Sequence, residues 1–224
     1  MPCGDRTRFN DAMRLLSFDD AREAVRRLVE VSEGHGEPIG SPIVLVGGSA
    51  MAAWQVRAHS KDVDLFTSSA SAEVVEQVEH ELRTRFGAAF RLDVTTTENI
   101  RGSILLRDIT SSPLVETLAS GHDLRALSIR DLFLVKLASG RDHDRSDLVL
   151  LAPKTTVDDL VARWNQLVKW HGDRAAILGY ADAFLAELVR LYSVRPLEVI
   201  ERLALTTGQR DELRAAHGGA HDAR

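Results

Sequence analysis

The feature that most constrains this chain is a two-glycine turn between a short apolar run and a segment that carries two aspartates. Residues 44–54 read VLVGGSAMAAW, and residues 62–66 read DVDLF. The β-branched run at 43–46 predicts a strand. Gly47 with Gly48 predicts its end, because glycine lets the backbone turn without a Cβ in the way. The order of strand, turn and second strand indicates a mixed α/β arrangement in this part of the chain.

The segment after the turn predicts a helix over 49–57, with Ser49 as its N-cap. Free backbone N–H groups in the first turn of a helix bind phosphate, so this turn is a candidate phosphate site. Gly-Gly turns are also common where no ligand binds, and an ordinary turn stays open as the alternative.

The two aspartates lie on a predicted strand over 61–67, where polar and apolar residues alternate. Side chains at positions i and i+2 of a strand project to the same face, so Asp62 and Asp64 point the same way. Two neighbouring carboxylates in a partly buried place both stay ionised only beside a cation. Mg²⁺ takes such oxygens together with substrate phosphates. A solvated strand face is the alternative interpretation, since antiparallel sheets often have one wet face.

The rest of the chain separates into a strand-containing part and a helical part. A third strand is predicted at 89–96, with a hairpin partner at 103–109. Periodic apolar residues predict helices at 8–33, 71–86, 129–140, 146–152, 157–171, 174–191 and 196–205. The expected fold is α+β, with a mixed sheet and flanking helices in a domain at 1–125 and a helical region at 126–224.

Composition excludes several classes of protein. The 224 residues include one cysteine, Cys3, so no intrachain disulfide can form. The formal net charge is −5, whereas a dedicated duplex-DNA binder is usually basic. No apolar run approaches the roughly 20 residues that cross a bilayer, and the charged start of the chain is unlike a signal peptide. We therefore expect a cytoplasmic protein that does not enter the membrane.

At residues 46–66, VGGSAMAAWQVRAHSKDVDLF, the chain resembles the nucleotidyltransferase superfamily that has the DNA polymerase β type of fold. The shared pattern is a Gly-Gly or Gly-Ser turn, a helix, and then two aspartates that alternate with apolar residues. Residues 131–151, DLFLVKLASGRDHDRSDLVLL, resemble the small bacterial nucleotidyltransferases of toxin–antitoxin and abortive-infection systems. The resemblance implies the fold of that superfamily for the first domain.

The resemblance also implies two sets of site residues. The metal-binding and catalytic carboxylates would be Asp62, Asp64 and Asp93, with Glu98 and Asp108 as competing choices for the third position. The nucleotide-binding residues would be Gly47, Gly48, Ser49, Lys61, Lys136 and Asp147. Asp144 matches a further acidic position of the toxin-like members.

Some of these residues have other interpretations. Lys136 lies in an apolar helix, where a lysine buries its stem and keeps its ammonium in water. The charge run at 141–147 alternates in sign, which is typical of a solvated face. Lys61 equally suits an ordinary surface position.

The implied activity is Mg²⁺-dependent transfer of a nucleoside monophosphate from an NTP such as ATP to a hydroxyl of a macromolecule, either an RNA such as tRNA or a protein. The implied role is the toxin of a toxin–antitoxin system, with a cognate antitoxin as partner. A non-catalytic module that binds a nucleotide or a partner protein on the same fold is the alternative. Arginine-rich stretches such as 22–27 suit either RNA phosphates or an ordinary helix surface.

Overall fold

The computed structural model describes residues 14–97, 109–169 and 174–218. Within these ranges the chain forms nine α-helices and a five-stranded sheet, which confirms the predicted α+β class. It divides into two compact units. The first holds the described residues before position 100 together with Leu114–Arg125, and the second holds 109–113 and the described residues from Ala126 onward. The prediction that 1–125 and 126–224 are separate domains stays a prediction.

The first unit has three helices around the sheet. The helices are α1 (Phe18–Gly34), α2 (Gly47–Ala53) and α3 (Ala72–Phe86). The strands are β1 (Ile43–Leu45), β2 (Val63–Thr67), β3 (Leu92–Thr96), β4 (Leu114–Thr117) and β5 (Asp123–Ala126), of which the last residue, Ala126, belongs to the second unit. Their order across the sheet is β3-β2-β1-β5-β4, so β1 lies at the centre and is buried along its whole length.

The sheet is mixed. β1 pairs with β2 in the antiparallel direction, and β4 pairs with β5 in the same way. β2 and β3 are parallel, and α3 provides the crossover that a parallel pair requires. This topology places the strands with the predicted aspartates next to each other.

Local sequence explains where the helices of this unit begin and which faces they bury. α1 starts at a capping box, in which the Asp20 backbone N–H donates to Ser17 Oγ (3.2 Å) and the Ser17 N–H donates to the Asp20 carboxylate (2.8 Å). α3 buries Val74, Val78 and Leu82, which recur every four residues. These apolar stripes let α1 and α3 pack against each other.

Sequence patterns missed β4 and β5. Both strands are four residues long, and β4 shows no alternation of buried and exposed side chains. A turn at Gly121, with φ of +85°, joins them, and the Leu118 N–H donates to the His122 carbonyl (2.8 Å). The predicted hairpin partner at 103–109 lies almost entirely outside the described residues.

The second unit is helical in the part that the structure describes. Its helices are α4 (Ile129–Ser139), α5 (Asp142–Leu151), α6 (Val157–Val168), α7 (Arg174–Tyr192), α8 (Pro196–Ile200) and α9 (Thr207–Gly218). Ser128 caps α4 by accepting from the Asp131 N–H (3.2 Å), and Gly140 ends it in the left-handed region. Trp164 and Phe184 stack at 6.0 Å between ring centroids in the core of this unit. Of the helices described, none is both long and apolar enough to span a membrane.

Candidate active site

The two-glycine turn leads directly from β1 into α2. The helix begins at Gly47 with Val46 as its N-cap, so the predictions that Ser49 is the N-cap and that the helix covers 49–57 are wrong. Gly47 has φ of +51°, which an L side chain rarely adopts. A Cβ at Gly47 would also overlap the carboxylate of Asp64. Glycine is therefore required here both by the backbone angle and by the closeness of Asp64.

Asp64 lies half-buried on β2 and faces the beginning of α2. Its Oδ2 accepts a hydrogen bond from the Gly48 N–H (3.2 Å), and its backbone carbonyl accepts one from the Val46 N–H (3.0 Å). A carboxylate is favoured beside the N–H groups of a helix start, because the partial charge there is positive. The turn therefore holds Asp64, one of the three predicted acids.

Ser49 is buried, with 1% of its surface exposed. Its hydroxyl donates to the backbone carbonyl of Asp62 (3.2 Å) and accepts from the backbone N–H of Asp64 (3.2 Å). Both hydrogen bonds therefore go to the backbone of the acid pair, whereas the family resemblance implies a contact with nucleotide.

Ser60 holds the loop before β2 from the other side. Its backbone exchanges two hydrogen bonds with Leu16, at 2.8 Å and 2.7 Å. Its hydroxyl donates to Asp62 Oδ1 (3.4 Å), and a Cβ at Gly48 would overlap that hydroxyl. The exposed side chain of Lys61 follows directly in the same bend. The loop therefore approaches the glycine turn closely and is fixed by the residues that precede α1.

Asp93 is the register partner of Asp64. The two residues lie opposite each other in the parallel pair of β2 and β3. Residues in register on adjacent strands project to the same face of a sheet, so the two carboxylates share a face. Asp62 comes two positions before Asp64, in the bend that leads into β2. Glu98 and Asp108, the competing choices for the third acid, lie outside the described residues.

The backbone arrangement of these acids suits Mg²⁺, whereas in the described part of the chain their side chains are not gathered around a common point. Carboxylate oxygens are the ligands that Mg²⁺ prefers, and the register brings Asp64 and Asp93 to one face. Among the described residues, however, no group of three His, Cys, Asp or Glu side chains is gathered closely enough to hold a metal ion. The metal site therefore stays a prediction. The strand register favours it, but the carboxylates would have to come closer together to bind one ion.

Lys136, Asp144 and Asp147 form a buried ionic cluster in the second unit, called here the Lys136 cluster. The Lys136 Nζ lies 2.6 Å from Asp144 Oδ1 and 3.0 Å from Asp147 Oδ2. The side-chain exposures of the three residues are 7%, 1% and 0%, respectively. The ammonium is thus not in water, and the interpretation of Lys136 as a surface-seeking lysine is wrong. The solvated-run interpretation of 141–147 is likewise wrong for Asp144 and Asp147.

The environment of Asp144 favours its charged form. Burial alone would raise its pKa, but hydrogen bonds from Lys136, Ser139 and Arg141 outweigh that effect and lower the pKa to about 2. The Arg141 Nε lies 2.8 Å from Asp144 Oδ2. The cluster therefore joins the end of α4 to α5 by charge-assisted hydrogen bonds.

Sequence patterns did not identify the residues that fix the glycine turn and the aspartates in place. Leu16 and Glu79 gave no signal, because neither lies near the motif in the chain. The Glu79 carboxylate accepts from the Leu92 N–H (2.9 Å) and so fixes the start of β3 beside Asp93. Ser60 lies within the motif, yet its type alone does not distinguish it from any other loop serine.

Fold and site together define an α+β protein whose mixed sheet carries two aspartates in register beside a glycine turn. No protein family, curated protein or solved structure matches the chain.

Proposed function

We propose that the chain is a Mg²⁺-dependent nucleotidyltransferase with the DNA polymerase β type of fold. It transfers a nucleoside monophosphate from an NTP to a hydroxyl of a macromolecule, and pyrophosphate leaves as the bond between the α- and β-phosphates breaks. The observation that carries the proposal is the register of Asp64 with Asp93, on a sheet face next to the Gly47–Gly48 turn. A strand pair that brings two acids together beside a glycine turn at the start of a helix suits a cation and a polyphosphate.

Each acid has a role in this proposal. Asp62, Asp64 and Asp93 would hold Mg²⁺, which when bound supplies charge neutralisation for the triphosphate and activation of the attacking hydroxyl. Asp93 is exposed on its strand, so its carboxylate is accessible to accept the proton of the acceptor hydroxyl. Lys61, exposed next to Asp62, offers a compact positive charge to the phosphates.

Lys136 and Asp147 enter the proposal only through the resemblance of 131–151. The Lys136 ammonium is already balanced by two carboxylates. A nucleotide phosphate would have to compete with Asp144 and Asp147 for it.

The acceptor class is either RNA, such as tRNA, or a protein hydroxyl. The arginines of α1 do not form an unpaired basic face, since Arg22 and Arg26 share Glu116 and Arg27 pairs with Glu81. That pairing favours the ordinary helix surface over a phosphate track for these residues. The role as a cytoplasmic toxin with a cognate antitoxin rests on the resemblance alone.

A non-catalytic nucleotide-binding or partner-binding module is the second candidate. The observation that favours it is that no three acids are gathered as a metal site in the described residues. Binding needs only the turn and one or two charges, whereas transfer needs the acids to converge.

The test incubates the purified chain with Mg²⁺, each of the four α-labelled NTPs, and cell extract as a source of RNA and protein acceptors. We expect label in RNA or protein, with a loss of about 100-fold or more in the variant Asp62→Ala, Asp64→Ala, because both metal ligands are removed. Asp142→Ala, an exposed aspartate in α5, is the matched control and should label as the unmodified chain does. γ-Labelled NTP should give no transfer above that of the extract alone, which separates nucleotidyl from phosphoryl transfer.

Two outcomes contradict the enzyme. Equal labelling by the unmodified chain and the double variant would assign the activity to a contaminant. Binding heat with Mg²⁺ and NTP in calorimetry, without any transfer to extract, would instead support the binding module.

A further inference from the structure

The hydroxyl of Ser49 donates its one proton within the protein. A serine hydroxyl has one proton to donate, and here that proton goes to the Asp62 carbonyl at 3.2 Å. The oxygen accepts from the Asp64 N–H at 3.2 Å, and only 1% of the residue is exposed. A phosphate would need a donor that this hydroxyl cannot supply without releasing Asp62.

The two hydrogen bonds of Ser49 fall on the two acids themselves. Asp64 is held by the turn at three points: its N–H by Ser49, its carbonyl by the Val46 N–H (3.0 Å), and its carboxylate by the Gly48 N–H (3.2 Å). The contact from Ser49 is the one of these three that comes from a side chain, so it can be removed without changing the backbone.

The bond to Asp62 matters for a different reason. Asp62 lies in the bend before β2, outside the ladder of strand hydrogen bonds. The Ser49 hydroxyl links the Asp62 carbonyl to α2, and Ser60, two residues earlier, is bound to the backbone of Leu16. Ser49 thus ties the point at which the chain enters β2 to the start of α2.

We propose that Ser49 is a positioning residue that sets the geometry of Asp62 and Asp64 and does not contact the nucleotide. This inference rests on the proposed function, since the positioning matters for transfer only if the acids hold the metal. It reassigns a residue that the sequence resemblance gives to nucleotide binding.

The experiment compares Ser49→Ala, Ser49→Thr and the control Ser32→Ala in the labelling assay, with kcat, KM for the NTP and the Mg²⁺ concentration for half-maximal rate measured for each. Ser32 is a serine of α1 that is equally buried, at 1% exposure, so it matches the loss of a buried hydroxyl away from the site. A positioning residue acts on the metal ligands, whereas a phosphate contact acts on nucleotide affinity.

We expect Ser49→Ala to lower kcat by about 20-fold or more while KM for the NTP changes by less than about 3-fold, because an interaction that orients reacting groups is expressed in the transition state. The Mg²⁺ concentration for half-maximal rate should rise by roughly 5-fold, since the ligands are no longer held at their spacing. Ser49→Thr keeps the hydroxyl and should restore kcat to within about 5-fold of the unmodified chain. Ser32→Ala should behave as the unmodified chain does.

If Ser49→Ala does not fold, as judged by circular dichroism, Ser49→Cys replaces it. The thiol keeps the shape of the side chain but hydrogen-bonds weakly, so the same fall in kcat at constant KM is expected. Unchanged kcat in the Ala or Cys variant would overturn the inference. A rise in KM with unchanged kcat would also overturn it, because it would make Ser49 a phosphate contact, and the proposed function would stand. A complete lack of transfer by the unmodified chain would overturn the proposed function and this inference together.

Discussion

Gly47 satisfies two requirements at one position. Its φ of +51° belongs to the left-handed region, and its Cα lies against the carboxylate of Asp64. Either requirement alone would favour glycine; together they connect the shape of the turn to the position of an acid on another strand.

Substitution of Gly47 by Ala should therefore harm both stability and activity. We expect a loss of about 1–2 kcal/mol in the free energy of unfolding from backbone strain, together with loss of transferase activity because the Cβ displaces the Asp64 carboxylate. Gly36 has φ of +71° and open space around its Cα, so Gly36→Ala is the control for strain alone. Urea unfolding and the labelling assay would check this. Full activity in Gly47→Ala would show that Asp64 does not need its present position.

Asp144 makes stability depend on pH in a defined window. Its pKa in the folded chain is about 2, against an ordinary value of 3.8. A lowered pKa means that the contribution is present above pH 3.8 and is lost as the pH falls toward 2. Since the side chain is buried, the loss should be about 2 kcal/mol.

The measurement is the free energy of unfolding at pH 5 and at pH 2.5 for the unmodified chain and for Asp144→Asn. The amide does not titrate, so the difference in the free energy of unfolding between the two proteins should be smaller at pH 2.5 than at pH 5. If this difference in the free energy of unfolding does not change with pH, Asp144 has an ordinary pKa in the folded chain.

At the scale of elements, the Lys136 cluster is the electrostatic connection between α4 and α5. One ammonium lies within 3.0 Å of two carboxylates that are almost completely buried. Such a cluster is costly to break, because the partners left behind are charges in a low-dielectric place.

Lys136→Met keeps most of the apolar stem and removes the charge. We expect a destabilisation of about 3–5 kcal/mol, since Asp144 and Asp147 are left buried without this cation. Lys154→Met changes an exposed lysine of the same unit and should change stability by less than about 0.5 kcal/mol. Chemical denaturation followed by circular dichroism would measure both. Equal effects would mean that the cluster contributes no more than a surface charge.

The accuracy of the sequence-based predictions differs from element to element for physical reasons. β2, β3 and most helices were predicted because their apolar residues recur at the period of a strand or a helix, and β1 was predicted because its β-branched run ends at Gly47. β4 and β5 were missed, since four residues such as those of Asp123–Ala126 are too few to show a period. The start of α2 was misplaced by two residues, because Gly47 in a left-handed conformation begins the helix where Ser49 had the preferred N-cap chemistry.

The candidate site was predictable in its local part only. The spacing of Asp62 and Asp64 can be read from the sequence. Asp93 was predicted because it lies on the next predicted strand along the chain. The Ser49 hydrogen bonds, the Ser60 link to Leu16 and the Glu79 contact at β3 depend on tertiary distances that no local pattern encodes. The burial of Lys136 was equally invisible, since a lysine in an apolar helix gives the same pattern whether or not carboxylates face it.

At the scale of the whole molecule, the chain consists of two compact units, each with its own buried residues. The acid pair and the glycine turn belong to the first, and the Lys136 cluster belongs to the second. The proposed activity depends on the acids of the first unit, whereas the large loss of stability expected for Lys136→Met concerns the second unit.

The register of Asp64 with Asp93 has a thermodynamic consequence for the folded state. Like charges opposite each other on neighbouring strands oppose folding by about 0.2–1 kcal/mol. A divalent cation that binds only the native chain would stabilise it by about 2.7 kcal/mol at 100 times its dissociation constant. We expect the melting temperature to rise with Mg²⁺, and Asp93→Asn to raise it without Mg²⁺ while reducing the further gain. If Mg²⁺ does not change the melting temperature of the unmodified chain or of Asp93→Asn, the prediction is wrong.

If that linkage holds, resistance of the chain to heat is a readout of free divalent cation. In a cell, a fall in Mg²⁺ would then lower the proposed activity and, at the same time, destabilise the folded chain.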